Sequence, residues 1–173
     1  MIARTISCKS CDVLLRLYKS LVRPNLEYCI SAWSPYYKKE KNLLERVQHR
    51  LTRMIPGMKE LPYERRLECI GLWTLEERRN RADLLEVFKM YKGWSTTSFD
   101  GLFTLMDDSR TRGHSAKIAK SRCRLDMRCY FFSQRVIDRW NRLDQSVIDS
   151  TTINTLKTSL SRTRNASISF FMD

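Results

Sequence analysis

Residues 40–55 read EKNLLERVQHRLTRMI, and their apolar residues recur at the three- and four-residue spacing of one helical face. That apolar stripe consists of Leu44, Val47, Leu51 and Ile55. Nearly opposite the stripe lie Arg46, Arg50 and Arg53. The pattern predicts an amphipathic helix, ended by Pro56-Gly57, that packs through its apolar residues and turns its arginines toward water.

A second apolar stripe lies near the start of the chain and consists of Leu14, Leu17, Tyr18 and Leu21. Asp12 is placed to cap the helix that carries it. Pro24 disfavours helical geometry at the residue before it, so we expect a kink or a break there. The helical spacing then resumes at Leu26, Ile30 and Trp33, which fits either two short helices or one bent helix.

Residues 62–93 contain sequence signals for the ends of two helices. Pro62 suits the first turn of a short helix, and Gly71 suits its end. Thr74 and Glu77 have the spacing of a capping box, so we expect a longer helix from there to Gly93. Its apolar residues are Leu84, Val87, Phe88 and Tyr91.

The second half of the chain begins without helical periodicity. From Trp94 to about Met127, Ser, Thr, Gly and Asp accumulate, which predicts a loop with room for one or two short strands. Helical spacing returns in an apolar stripe of Phe132, Val136, Trp140 and Leu143. Another face of the same segment carries Arg135, Arg139 and Arg142. A last short helix is expected from about Thr152 to Leu160.

These patterns together predict a mainly α fold, bundle-like in its helical parts and irregular in its middle, where short β-strands could occur. We expect a helical region over residues 1–93 and a basic loop region over residues 94–129. Helices follow over residues 130–162, and the tail, residues 163–173, is expected to fray.

The net charge is +13, because 32 lysines and arginines face 19 aspartates and glutamates. A surplus of this size repels itself unless a polyanion neutralises it. Arginine outnumbers lysine and makes planar, bidentate phosphate contacts, which favours nucleic acid over an anionic membrane or an acidic protein. No apolar run approaches the roughly 20 residues of a membrane span, and residues 1–6 are too short for a signal peptide. We therefore expect an intracellular protein, in the nucleus or the cytoplasm, with no membrane partner.

Among the candidate phosphate-binding residues, Arg46, Arg50 and Arg53 have no interleaved carboxylate on their face. Like charges at the spacing of Arg46, Arg50 and Arg53 destabilise a lone helix by a few tenths of a kcal/mol per pair, a cost that a bound polyanion would remove. A merely solvated face is the alternative for any one helix, and a mobile basic loop is the alternative for residues 111–124. The full candidate set is Arg46, Arg50, Arg53, Arg78, Arg79, Arg112, Lys117, Lys120, Arg135 and Arg139.

Neither a catalytic centre nor a metal site is predicted. Leu105-Met106-Asp107-Asp108 resembles the strand that holds the metals in polymerases of the reverse-transcriptase class. Two-metal chemistry also needs a carboxylate from a different strand and a rigid sheet beneath both, and the sequence indicates neither. A zinc site built from Cys8, Cys11, Cys123 and Cys129 is disfavoured, because the second pair lacks metal-ligand spacing. We expect no catalytic residue, no metal and no cofactor.

Several segments resemble the region just after the polymerase palm in LINE-type reverse transcriptases, the non-LTR retrotransposon proteins of the jockey and chicken-repeat groups. The likeness begins at LYKSLVRP over residues 17–24 and continues through LEY at 26–28 and WSP at 33–35. Further matching segments are LERVQ at 44–48, IPG at 55–57, YERRL at 63–67, GL at 71–72, TLE at 74–76, TRGH at 111–114, FSQRV at 132–136 and WN at 140–141. The resemblance spans about residues 12–162.

The resemblance implies a helical thumb that grips the template and primer duplex, followed by the C-terminal segment of the element protein. Asp144 stands where the family usually has proline, and the endonuclease and the palm with its catalytic aspartates are missing. We therefore expect a non-catalytic fragment of an RNA-directed DNA polymerase that binds RNA or an RNA/DNA duplex beside the rest of the enzyme. The alternatives are a helical module that docks on the palm through apolar faces, with Tyr36, Tyr37 and Trp94 exposed, and a non-functional element remnant.

Overall fold

A computed structural model describes residues 8–106 and 113–172 of the chain, which divides into two compact units. The first unit comprises Pro35–Arg78 together with the described residues up to Cys29. The second comprises Ile30–Ser34 together with the described residues from Arg79 onward. Helices and irregular segments make up both units, so the prediction of a mainly α fold is confirmed.

The first unit begins with one continuous helical stretch: α1 (Cys11–Leu17), a π-helical segment (Tyr18–Val22) and α2 (Arg23–Leu26). Pro24 lacks the N–H that would bond to the carbonyl of Ser20, and its ring would crowd that carbonyl in an α-helix. The wider π turn relieves this crowding, and Asn25 Nδ2 donates to the carbonyl oxygen of Leu21 at 2.7 Å. Of the kink or break expected at Pro24, the break does not occur, because the helical segments are continuous through a widened turn.

Two details of this stretch correct the sequence-based expectations. Leu21, expected in the apolar stripe, lies within the wider π turn and is 58% exposed. Residues 28–32 form turns and not a helix, with Cys29 at a φ of 48°. The helical spacing of Ile30 and Trp33 therefore does not correspond to a helix.

The remaining elements of the first unit are α3 (Lys38–Met54), α4 (Tyr63–Ile70) and the beginning of α5 (Leu75–Tyr91). Gly71 ends α4 in the left-handed conformation at a φ of 63°, and the Leu72 N–H donates to the Leu67 carbonyl at 2.9 Å. Thr74 and Glu77 form the predicted capping box, because each backbone N–H is bonded to the other side chain. The boundaries predicted from Pro62 to Glu77 are confirmed.

The core of the first unit is made by the helical stretch at the start of the chain together with α3 and α4. Its buried residues are Leu14, Tyr18, Leu51, Ile55, Leu67 and Leu72. Helix α3 is rotated relative to the predicted stripe, because Val47 is 39% exposed whereas Gln48 and Thr52 are fully buried. Val47 is thus wrongly assigned to the core by its spacing.

The second unit contains the rest of α5, then α6 (Asp126–Cys129), α7 (Phe132–Arg135), α8 (Ile137–Asn141), α9 (Gln145–Ile148) and α10 (Ile153–Ala166). A 3-10 turn (Ile168–Phe171) follows. The apolar stripe predicted for α5 is confirmed at Leu84, Val87 and Phe88. The stripe predicted for the later helices is confirmed at Phe132, Val136, Trp140 and Leu143, all of which are buried.

Trp140 and Asn141 attach the irregular segment to α8. Trp140 Nε1 donates to the carbonyl oxygen of Ala116 at 2.7 Å. The side chain of Asn141 accepts from the Ile118 N–H and donates to the Ile118 carbonyl, each at 2.9 Å. In residues 94–106 and 113–127 the expected short strands reduce to one isolated antiparallel bridge, between Leu105 and Ile118.

The described part of the tail contains the end of α10 and the 3-10 turn, and the fraying expected from residue 163 onward stays a prediction. Helix α10 starts at a capping box formed by Thr152 and Thr155 and continues to Ala166. Phe171 is fully buried, and its carbonyl oxygen accepts from Asn80 Nδ2 at 2.8 Å. An aromatic residue that leaves water stabilises a chain end that local propensity would leave loose. Within the two described ranges, no helix is both long and apolar enough to cross a bilayer.

Replacing Trp140 with alanine should lower the free energy of unfolding by about 3–5 kcal/mol, because the change removes a fully buried indole and its hydrogen bond. Urea denaturation followed by circular dichroism measures the loss. Trp94→Ala is the control, since Trp94 is 49% exposed in the same unit and its replacement should cost about 1 kcal/mol or less. Equal losses for the two variants would contradict the assignment of Trp140 to the core.

Candidate nucleic-acid interface

The orientation of α3 is set by Gln48, whose amide is fully buried in the first unit. Its Oε1 accepts from the Tyr18 hydroxyl at 2.5 Å. Its Nε2 donates to the Tyr63 hydroxyl and to the Trp73 carbonyl, each at 3.0 Å. Since a buried amide without partners is costly, α3 is held at the one rotation that satisfies all of these bonds.

Glu45 extends this hydrogen-bonded cluster by one turn of α3. Its Oε1 accepts from the Tyr63 hydroxyl, and its Oε2 accepts from the Leu75 N–H at 2.9 Å. Burial raises the pKa of Glu45 above its ordinary value, although both hydrogen bonds act in the opposite direction. Burial and the nearby Glu45 also raise the pKa of Tyr63 well above its ordinary value, so its hydroxyl remains a donor at neutral pH.

Arg66 reaches α3 from α4 and holds His49 in one state. Arg66 is 2% exposed and donates through Nη1 to Thr52 Oγ1 at 3.0 Å and through Nη2 to His49 Nδ1 at 3.2 Å. A guanidinium can only donate, so His49 Nδ1 is the acceptor and the ring proton lies on Nε2. Desolvation, with the charge of Arg66, lowers the pKa of His49 and keeps the ring neutral at neutral pH. The His49 and Tyr63 rings are stacked with their centroids 4.0 Å apart.

These buried contacts leave Arg46, Arg50 and Arg53 on the exposed side of α3, as the sequence predicts. The three arginines line a groove of about 600 Å³ together with Asn42, Glu45, His49 and Tyr63. Among residues 8–106 and 113–172, no carboxylate forms an ion pair with any of the three. The groove therefore has three cationic side chains whose donors are available to an external anion.

Two of the other candidate arginines, Arg78 and Arg79, are engaged within their own units. In the first unit Arg78 forms a bidentate pair with Glu27, with Nη2 2.8 Å from Oε2 and Nε bonded to Oε1. In the second unit Arg79 is 3% exposed, and its guanidinium lies 4.1 Å from the centre of the Trp33 ring. Arg79, a candidate phosphate-binding residue, is thus buried, and stacking on an aromatic ring offsets the burial of its charge.

Arg135 and Arg139 also differ from the expectation of a solvated face. Arg135 donates to both carboxylate oxygens of Asp83, at 2.9 and 3.0 Å, and to the Ile30 carbonyl at 2.8 Å. Burial raises the pKa of Asp83, and the charges of Arg135 and Arg139 oppose that rise. Arg139 is 9% exposed. The carboxylate of Asp83, itself 2% exposed, thus draws both cations toward the interior of the second unit.

The basic loop is anchored to the second unit where it is described. His114, Ala116 and Ile118 are buried in alternation, which leaves Lys117 half-buried and Lys120 exposed. Lys120 forms an ion pair with Asp138 at 2.5 Å. The sequence signal for this anchoring is confined to residues 116–118, where a basic residue stands between two apolar ones.

Some candidate residues lie outside the described ranges, namely Arg112, Asp107 and Asp108. In the ranges that are described, no group of three or more His, Cys, Asp or Glu side chains is arranged to hold a metal ion. Sequence reasoning missed Glu45, His49 and Tyr63 as groove residues. The signal for Glu45 and His49 was that polar residues recur on α3 at helical spacing, which did not distinguish a buried face from a solvated one, and Tyr63, on α4, had no such signal.

Comparison with known proteins identifies no family or function for this chain. No protein-family model, no curated protein and no solved structure matches the chain.

Replacing Arg135 with glutamine should lower the free energy of unfolding by about 3–5 kcal/mol, because it removes the cation that is bonded to both oxygens of the buried Asp83 carboxylate. Arg142→Gln is the matched control, since Arg142 is exposed in the same unit and should cost about 0.5 kcal/mol or less. Urea denaturation of both variants measures the difference. Similar stability for the two would show that Arg135 has no structural role.

Proposed function

We propose that this chain is a non-catalytic nucleic-acid-binding part of a LINE-type reverse transcriptase, which holds RNA or an RNA/DNA duplex through phosphate contacts. The observation that carries the proposal is the row of Arg46, Arg50 and Arg53, exposed and without ion pairs among the described residues. These arginines project from a helix that buried hydrogen bonds hold in place. Such a role would place the chain inside the cell, in the nucleus or the cytoplasm.

The spacing of the three arginines suits a nucleic-acid backbone. Seven residues separate Arg46 from Arg53, which corresponds to about 10 Å along the helix axis. One strand of a duplex presents about three phosphates over that length. Because the guanidinium donates two parallel hydrogen bonds, each arginine can hold one phosphate in a defined orientation.

The net charge of +13 and the sequence resemblance support the same role. The surplus charge gives a long-range attraction to any polyanion, and the arginine row gives it a defined place to bind. In the resemblance, residues 12–162 correspond to the thumb and the segment that follows it, so the catalytic aspartates would come from a separate palm. The proposal assigns no catalytic role to Asp107 or Asp108.

A second candidate function is docking on another protein, such as the palm. Exposed apolar side chains in the first unit favour it, since Tyr28 is 72%, Tyr37 56% and Leu43 49% exposed. Scattered exposed apolar residues are common on soluble proteins, whereas cations without partners on one helix face are not explained by docking. Salt-insensitive, weak RNA binding combined with self-association would favour this second candidate.

Changing Arg46, Arg50 and Arg53 together to glutamine should weaken binding about equally for every base sequence, because phosphate contacts carry no base information. The slope of log K against log salt concentration should flatten by up to about three units. Stability should barely change, since the groove arginines contribute nothing to the core. The measurement is a salt titration on two duplexes of unrelated sequence, with melting curves of both proteins.

The matched control is the triple change Lys9→Gln, Lys19→Gln and Lys59→Gln, which removes the same charge from exposed positions outside the groove. Its slope should stay closer to that of the wild type than the slope of the arginine variant does. Identical slopes for the two triple variants would mean that the groove does not grip nucleic acid and that only net charge acts.

The chain alone should not extend a primer in the presence of magnesium or manganese, because two-metal catalysis needs carboxylates held together on a rigid scaffold. A primer-extension assay on an RNA template measures this, with an active reverse transcriptase as the positive control. Extension that is abolished by Asp108→Asn would refute the non-catalytic assignment.

A further inference from the structure

The groove along α3 contains more than cations. Asn42, Glu45, His49 and Tyr63 supply an amide, a carboxyl group and two aromatic rings beside the arginines. Phosphate binding needs only the cations, so these four side chains have no part in the backbone contacts proposed above. Directional polar groups next to aromatic rings are what a nucleic-acid base uses when it is recognised outside a helix.

Contacts among residues 8–106 and 113–172 leave one donor of His49 for a ligand. Its Nδ1 accepts from Arg66, which puts the ring proton on Nε2. Protonation of Nδ1 would bring a second donor against the guanidinium of Arg66, so the neutral form is favoured by geometry. His49 is therefore a preorganised, neutral donor, and the carbonyl oxygens and ring nitrogens of a base are matching acceptors.

The rings in the groove are also preorganised. His49 and Tyr63 are stacked with an interplanar angle of 19°, and the Tyr63 hydroxyl is held by Glu45 and Gln48. Rings that are already fixed lose little conformational entropy when a base packs against them. A groove of about 600 Å³ falls in the range of small-molecule sites, so it can hold a nucleotide but cannot enclose a duplex.

We propose that this groove accepts the base of one unpaired nucleotide against His49 and Tyr63, while the neighbouring phosphates of the same strand lie against the arginines of α3. The inference rests on the nucleic-acid role proposed above and adds to it a preference for strands with an unpaired base. Unpaired bases are accessible to a protein in bulges, loops and strand ends, where they are already unstacked.

The test compares the affinity of the wild-type chain for three short RNA/DNA duplexes, measured by fluorescence anisotropy at one salt concentration. The first duplex is fully paired, the second carries one bulged nucleotide, and the third carries the same bulge without its base. Stacking of a base on aromatic side chains is worth about 1–3 kcal/mol. The bulged duplex should therefore bind about five-fold or more tightly than each of the other two.

Variants connect this preference to the groove. His49→Ala should abolish the preference, so that the bulged and the paired duplex bind with equal affinity. His49→Phe keeps a ring but not the donor, so it should retain part of the preference. Tyr37→Ala is the control, because Tyr37 is an exposed aromatic residue of the same unit that does not line the groove.

A readout that needs no variant is photo-crosslinking of wild-type protein to a bulged 4-thiouridine, with the linked peptide identified by mass spectrometry. The expected peptide contains His49 or Tyr63, and a crosslink elsewhere overturns the inference. Equal affinity for the bulged and the base-free duplex also overturns it, while salt-dependent binding of the paired duplex would leave the proposed function intact. Absence of binding to all three duplexes would instead refute the proposed function itself.

Discussion

The buried amide of Gln48 is the constraint on which the first unit depends. An amide enclosed in a core must keep its hydrogen bonds, and those of Gln48 reach Tyr18, Tyr63 and the Trp73 carbonyl. Only one rotation of α3 about its axis meets all of these partners. That rotation turns Val47 outward and places the arginine row beside the His49–Tyr63 stack, so the groove is a consequence of a polar contact in the core.

Arginines in this chain either stabilise the fold or remain available to a ligand, depending on whether a carboxylate of the protein binds them. In the second unit, the carboxylate of Asp83 is buried and binds Arg135 through both oxygens, so this arginine holds the fold together. In the first unit, the described residues supply no carboxylate to the three arginines of α3, which remain available to a ligand. A buried charge needs a partner inside the protein to offset its desolvation. An exposed charge is solvated by water and remains available to an external ligand.

The proposed function and the groove depend on the different roles of the two sides of α3. The inward side carries Gln48, Leu51 and Thr52, which keep the helix in place. The outward side carries the cations and, next to them, a neutral histidine whose tautomer Arg66 fixes. A rigid helix can present phosphate-binding and base-binding groups at constant separation. A mobile basic loop would lose conformational entropy when it adopts such an arrangement.

The sequence by itself determined the local features of the fold, because they depend on residues close together in the chain. Periodicity showed the mainly α class and the buried stripe of Trp140, and residue type showed the capping box at Thr74 and the helix end at Gly71. The exposure of the α3 arginines also followed from periodicity. Only tertiary structure decided that Gln48 and not Val47 is buried, that Arg135 binds Asp83 at a separation of 52 residues, and that Phe171 is buried. These outcomes depend on partners that are distant in the chain, and helical spacing carries no information about which partner a side chain will meet.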